Sequence, residues 1–432
     1  LMKTFTDSGP SKRKQMTFKP SSVSLAALFC YLSLLANVSA QTDANVWDQW
    51  RGPHRDGVLQ DFSLPDSISD TNLQKVWEKP LQPSYSGPIV VGDQLFVTET
   101  KDKKFEVVKC LNLKTGEQKW ETQWEGAMTV PFFAAANGSW IRSTPAFSDG
   151  ILYVAGMKDV LVAIDGKTGQ QKWKRDFPTE EGTAVPSFGF VCSPMIDGDF
   201  LYVQAGGGLL KLKKDTGETV WKALADGGGM YGSAFSSPVI EEVNGKRQLV
   251  VQTRAELCGV DIETGSKLWG IAVKSFRGMN ILTPTFFEGS VFTSTYGGTT
   301  QLIGLDSGNP VPKWSLPIQG YMSSPVVIDN YAYLHLRNQR YACFDLKEGK
   351  ETWRSKPFGK YASLIAAGDK ILALDASGEL LLIKANPNEF ELLDSRTVGD
   401  DSWAHLAMTN QNVVVRNLKQ VAVYKWVDGT KP

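Results

Sequence analysis

Histidine is nearly missing from this chain: His54, His335 and His405 are the whole supply in 432 residues. A metal centre built on imidazoles is all but excluded, and no cysteine cluster replaces it. There is no C-x-x-C-H haem attachment and no Gly-x-Ser-x-Gly elbow, and neither Gly-rich run of the chain leads into a Gly-Lys-Ser/Thr phosphate loop. Gly206-Gly207-Gly208 and Gly227-Gly228-Gly229 are not followed by a helix pattern, so turns or bulges account for them better. A charge excess is also lacking. Lys plus Arg and Asp plus Glu both number 46, which argues against nucleic acid or an anionic membrane surface as a partner held by bulk charge.

What the chain has in quantity is tryptophan and glycine, 13 and 40 residues, in a repeating frame. Leu161 to Trp173 reads LVAIDGKTGQQKW: an apolar run, Asp165, Thr168-Gly169, then Trp173. The frame returns at Asn112/Gly116/Trp120, Lys213/Gly217/Trp221, Asp261/Gly265/Trp269 and Asp345/Gly349/Trp353, and with Gly308 two places early at Asp306/Trp314. A period of roughly 40 to 50 residues marks a repeat architecture. In each unit the apolar run is a strand. The Gly takes the positive φ of a tight turn, and the Asp accepts from the turn's own N–H groups. The Trp is too large for one sheet to bury alone. Sheets docked through one aromatic each close into a β-propeller.

Repeat openings carry a second signature, a small residue and Pro before an apolar run: Gly87-Pro88, Thr144-Pro145, Ser193-Pro194, Ser237-Pro238, Thr283-Pro284 and Ser324-Pro325, with weaker ones at Ser363-Leu364 and Ala404-His405. Pro is tolerated where a strand starts. That makes eight openings. Closing positions are Trp77, Trp120, Trp173, Trp221, Trp269, Trp314 and Trp353, with Leu392 expected in the seventh repeat. The last repeat supplies three strands, and Leu73 to Leu81 can supply its fourth. The expected fold is therefore all-β, an eight-bladed propeller of four-stranded antiparallel blades over residues 71–428, closed by the N-terminal strand.

Ahead of it, residues 1–40 read as a leader and secretory signal. Lys12-Arg13-Lys14 form a basic region, Val23 to Val38 an apolar one, and Val38-Ser39-Ala40 a cleavage site. The apolar stretch reads as a signal rather than a spanning helix. The mature protein is expected to be exported, periplasmic or extracellular, without stable membrane insertion. Residues 41–70 form an N-terminal extension. Cys110, Cys192, Cys258 and Cys343 read as small buried thiols rather than disulfide partners.

The D-x-x-T-G-x-x-x-W frame resembles the repeat of the pyrroloquinoline quinone (PQQ) dehydrogenases and of their non-enzymatic relatives, among them the propeller lipoprotein of the outer-membrane protein assembly machinery. Trp47-x-x-Trp50-Arg51-Gly52-Pro53-x-Arg55-Asp56-Gly57 is similar to the start of exported PQQ-like repeat proteins of planctomycetes. The resemblance covers about residues 47–426 and is specific for fold. For a dehydrogenase it would imply PQQ, calcium, adjacent cysteines and axial carboxylates. This chain has no Cys-Cys pair, and its axial loops offer only Glu180, Glu181, Asp226, Asp400 and Asp401.

The long connections enter each blade on one face beside the axis. There lie the candidate binding residues Tyr85, Arg142, Phe190, Tyr231, Arg277, Asn280, Tyr321, Tyr361, Trp403 and His405. Tyr, Trp and Arg are the residues of binding surfaces, although such a ring can also plug the channel. Fold does not settle function. The favoured expectation is a binding or interaction scaffold with no catalytic residue, metal or cofactor, taking a protein, an extended peptide or an acidic small ligand. The alternative is a PQQ- and calcium-dependent alcohol or sugar dehydrogenase.

Overall fold

The computed structural model describes residues 45–305 and 308–427. The leader and its cleavage site lie outside the described residues. The strands form eight antiparallel sheets. Blades 1 to 7 occupy residues 89–125, 146–176, 195–223, 239–272, 285–316, 326–357 and 362–397. Blade 8 takes three strands from residues 407–426 and Leu73–Pro80 as its outermost strand, paired antiparallel with Gln420–Trp426. The chain thus closes on itself as an eight-bladed propeller.

The repeating frame is a docking device between blades. Asp165 Oδ1 accepts from the backbone of Lys167 at 3.1 Å and of Thr168 at 2.9 Å. This turn holds Gly169 at φ 76°, and the Trp120 ring of the preceding blade lies on it: a Cβ at Gly169 would stand 2.7 Å from that ring. Trp120 Nε1 then donates to Gly166 O at 3.0 Å. Trp77, Trp173, Trp221 and Trp314 repeat both contacts on Gly116, Gly217, Gly265 and Gly349 and their turns.

Where the frame is irregular, so is the docking. No atom lies within 4 Å of a Cβ at Gly308, and Trp269 turns its Nε1 to Gln248 Oε1 of its own blade at 2.7 Å. Leu392 is not the docking residue of blade 7. It pairs with Ile383, and after the bulge Asp394 faces Leu382, where the other blades place their Trp. Asp394 accepts from Ser67 Oγ at 2.6 Å and Ile68 N at 2.8 Å. A stretch of the N-terminal region thereby takes over the seam between blades 7 and 8, with Phe62, Leu64 and Ile68 in its core.

The small residues before each Pro form a second belt around the axis. Gly87 N donates to Thr144 Oγ1, Thr144 N to Ser193 Oγ, Ser193 N to Ser237 Oγ, and Thr283 N to Ser324 Oγ. Each hydroxyl satisfies the backbone of the blade before it, which explains the residue type at that position.

The region expected as an extension runs through the centre of the ring. Val46–Trp47 adds a fifth strand to blade 1. Phe147 of blade 2 donates to Asp48 O. Arg55 donates to Ser193 O and Pro194 O of blade 3 and Pro238 O of blade 4. Trp50 Nε1 donates to Thr283 Oγ1 at the entrance of blade 5, and Arg51 to Pro325 O at that of blade 6. Leu59 and Gly57 pair with Ala366 of blade 7, and Asn45 accepts from Thr409 of blade 8. Residues 45–59 thus hold every blade. The two arginines are buried, and burial draws each guanidinium down to about 10, so both stay charged at neutral pH. Six backbone carbonyls and Gln49 Oε1 take their donors.

Candidate functional site: a cup on the blade-entry face

Above this central segment lies a cavity of ≈ 530 Å³, walled by the loops that enter the blades. That size is typical of ligand pockets. Trp50 and His405 line its floor, ring edge to ring face at 4.9 Å. Burial holds the His405 imidazole down at about 4, so it is neutral at physiological pH.

One wall is a chain of touching rings. Tyr85 meets Trp403 at 4.6 Å, and Trp403 stacks on Tyr361 at 4.4 Å and 10°. Tyr361 meets Tyr321, Tyr321 meets Tyr296, and Tyr296 meets Phe276, at 5.9, 5.0 and 5.1 Å. Across the cup Phe133, Phe188 and Phe235 form a second arc with centroids 6.2 and 5.8 Å apart. Burial raises the phenols of Tyr85 and Tyr321 to about 12, so these rings stay uncharged in the physiological range; the Tyr85 hydroxyl donates to Asp401 Oδ1 at 3.4 Å, just outside the lining.

The charged groups of the lining are of one sign. Arg142, Arg254 and Arg277 line the cup, and no Asp or Glu is among its described lining residues. Two of the three arginines are occupied. Arg142 donates to Gly138 O at 2.9 Å and Trp140 O at 3.3 Å, bracing its own loop; burial draws it to about 10. Arg254 spends its donors on Gly278 O, Gly232 O and Arg277 O while lying over Phe235 at 4.4 Å. Arg277 is exposed. Its guanidinium lies 5.2 Å from the Phe276 ring and makes no hydrogen bond or ion pair with a described residue. Its backbone is left-handed, at φ 51°.

Of the ten residues expected on this face, Tyr85, Arg142, Tyr231, Arg277, Tyr321, Tyr361, Trp403 and His405 line the cup. Phe190 does not. It is 2% exposed and packs with Phe177 in the seam between blades 2 and 3. Asn280 is fully buried and donates to Thr253 O and Arg254 O, so it braces a turn. The sequence reading missed Arg254, Tyr296, Phe276 and Trp50. Arg254 and Tyr296 sit in turns between second and third strands. These turns share the face of the entry loops, so the hairpin topology was the available signal. Nothing in the composition of the extension indicated that Trp50 would form the floor.

The lining does not suit a quinone held with calcium. Calcium takes six to eight oxygen ligands, with carboxylates prominent, and this lining offers none. The space below the floor is taken by residues 45–59. Among the described residues no three of His, Cys, Asp and Glu gather into a metal set, and all four described cysteines are buried and free.

Comparison with known proteins agrees with this architecture. A stretch of 195 residues, 41% of this chain, is 30% identical to a polyvinylalcohol dehydrogenase of Sphingopyxis, of which it spans only 28%. An outer membrane protein assembly factor BamB of Moranella endobia is 20% identical over 327 residues, 72% of this chain and 79% of the relative. Among solved structures, BamB from Moraxella catarrhalis superposes with a TM-score of 0.60 at 15% identity, covering 82% of this chain and 98% of that one. Quinohemoprotein alcohol dehydrogenase from Comamonas testosteroni gives 0.69 at 13%, covering 91% and 82%. At such identities the structures show the fold alone. The family model described as outer membrane protein assembly factor BamB matches residues 103–355, more than half of the chain, and to that family, a PQQ-like repeat propeller, this chain belongs.

Proposed function

We propose that this chain is an exported binding propeller whose cup holds a segment of a partner protein, and that it works without quinone or calcium. The observation that carries the reading is the cup itself: two aromatic arcs, three arginines and no carboxylate among the described lining residues. Rigid aromatics with arginine supply most of the energy at protein interfaces. The relatives named as assembly factors point the same way. A small acidic ligand would use the same arginines. The dehydrogenase reading draws on the relatives named for that activity and lacks a ligand set in the cup.

Two measurements test this. The full chain mixed with PQQ and calcium is assayed for dye-linked oxidation of alcohols, and an enzyme-like rate overturns the reading. Capture of a candidate partner is then compared between the parent, Arg277→Gln and Lys167→Ala. Loss with Arg277→Gln is expected, and loss confined to the Lys167 change would move the site to the opposite face. Export is tested by sequencing the mature N-terminus, expected at Gln41.

A further inference from the structure

The cup is blind, and this limits what can enter it. Residues 45–59 contact every blade below it, so a polypeptide cannot thread along the axis. Whatever enters leaves by the same mouth. The two arcs of rings surround that mouth, and their faces offer few hydrogen-bonding partners. Each peptide unit pushed between them gives up its water without replacement, which is costly. A segment that enters and turns back buries several peptide units. A chain end can insert a side chain while burying the fewest.

The charge then selects which end. An ammonium group would meet three arginines and no described acid in the lining, whereas a carboxylate is complementary. Arg254 has given all three nitrogens to backbone carbonyls, and Arg142 has given its Nε and Nη2. Arg277 alone keeps its planar fork free, and a guanidinium binds a carboxylate through two parallel hydrogen bonds. Phe132, 90% exposed beside the cup, and Tyr231, an 80% exposed member of its lining, lie on the same face and offer an apolar landing for the residues that precede the end.

Resting on the binding reading above, we infer that the cup captures the C-terminus of a partner polypeptide. The terminal carboxylate sits on Arg277, and an aromatic or large apolar last side chain lies between the Tyr361–Trp403 stack and the phenylalanine arc. This is carboxylate-end recognition by a closed ring of blades.

The test uses the full chain and three dye-labelled peptides, followed by fluorescence anisotropy. The first ends in aromatic residues with a free carboxylate. The second is its C-terminal amide. The third carries a polar Gly-Ser tail beyond the aromatic run. The first is expected to bind, and the other two at least about tenfold more weakly, the usual scale for losing a charge-assisted pair. Arg277→Gln is expected to reduce the first to the level of the amide and to leave the amide unchanged, with an unaltered unfolding temperature. Equal binding of the first and third peptides overturns the inference and leaves the binding reading standing. So does Arg277-dependent capture of a protein partner when no peptide binds. If 3-phenylpropionate alone binds as tightly as the first peptide, the cup is a small-carboxylate site and the inference fails.

Discussion

Arg55 donates from the centre of the ring to the carbonyl of Pro194, 2.9 Å away. The same guanidinium reaches Ser193 O at 3.2 Å and, across the next seam, Pro238 O at 3.1 Å. A prolyl strand start has no N–H to contribute, and both prolines are buried beside the axis. One arginine from outside the repeats therefore satisfies two blades at once, and in doing so anchors the segment that carries the floor of the cup.

Arg55→Ala is expected to lower stability by about 3 kcal/mol or more, since several buried acceptors are left unsatisfied at about 1–3 kcal/mol each. Arg55→Lys recovers only part of this, because one ammonium cannot span both blades. Urea unfolding of the two variants checks it, and an unchanged midpoint for Arg55→Ala would show that water replaces the guanidinium.

The docking turns predict a contrast between two glycines of similar φ. Gly169→Ala places a methyl 2.7 Å from the Trp120 ring, whereas Gly308→Ala meets nothing within 4 Å. The left-handed backbone costs about 1–2 kcal/mol in either case, and overpacking adds about 1–3 kcal/mol at Gly169 alone. Equal losses in thermal unfolding would refute the interblade role of the Trp.

Ring closure depends on Leu73–Pro80. Deleting residues 71–82 removes the outermost strand of blade 8 together with Trp77, which donates to Leu113 O of blade 1 at 2.8 Å. The variant is expected to unfold at a markedly lower temperature and to expose apolar surface to a hydrophobic dye. Thermal unfolding like that of the parent would contradict the closure.

Glu106 gives stability a pH dependence. Its carboxyl is fully buried and neither oxygen has a hydrogen-bond partner. Burial raises it to about 8 from 4.5. Between those values the native state holds a proton that the unfolded chain has released, so stability falls as pH rises through that window. The imidazoles of buried His335 and half-buried His405 act at the other end. Burial lowers both to about 4, so stability also falls as pH drops from about 6.5 toward 4. Glu106→Gln is expected to flatten the alkaline limb only, as read from unfolding midpoints between pH 5 and 9.

The fold was legible in the sequence because each blade is specified locally. Asp165, Gly169 and Trp173 lie within nine residues, and the turn, the positive φ and the large ring each follow from residue type alone. Six openings of a small residue and Pro, two weaker ones without Pro, and an unpaired Leu73–Leu81 were enough to predict ring closure. Much of the cup was legible for the same reason, since loops between known strands fall on a known face. Position along a loop does not decide the direction of a side chain. Phe190 and Asn280 lie in entry loops as Tyr321 and Tyr361 do, yet they pack into a seam and under a turn. Long-range contacts were not legible at all. Asp394 in the docking position of blade 7 is satisfied by Ser67 and Ile68, more than 320 residues away. Arg51 and Arg55 find their carbonyls only once the blades have assembled around them. The repeat determined that a ring would form; only the closed ring, with its dry centre and unsatisfied carbonyls, decided that residues 45–59 would fill it and make the cup blind.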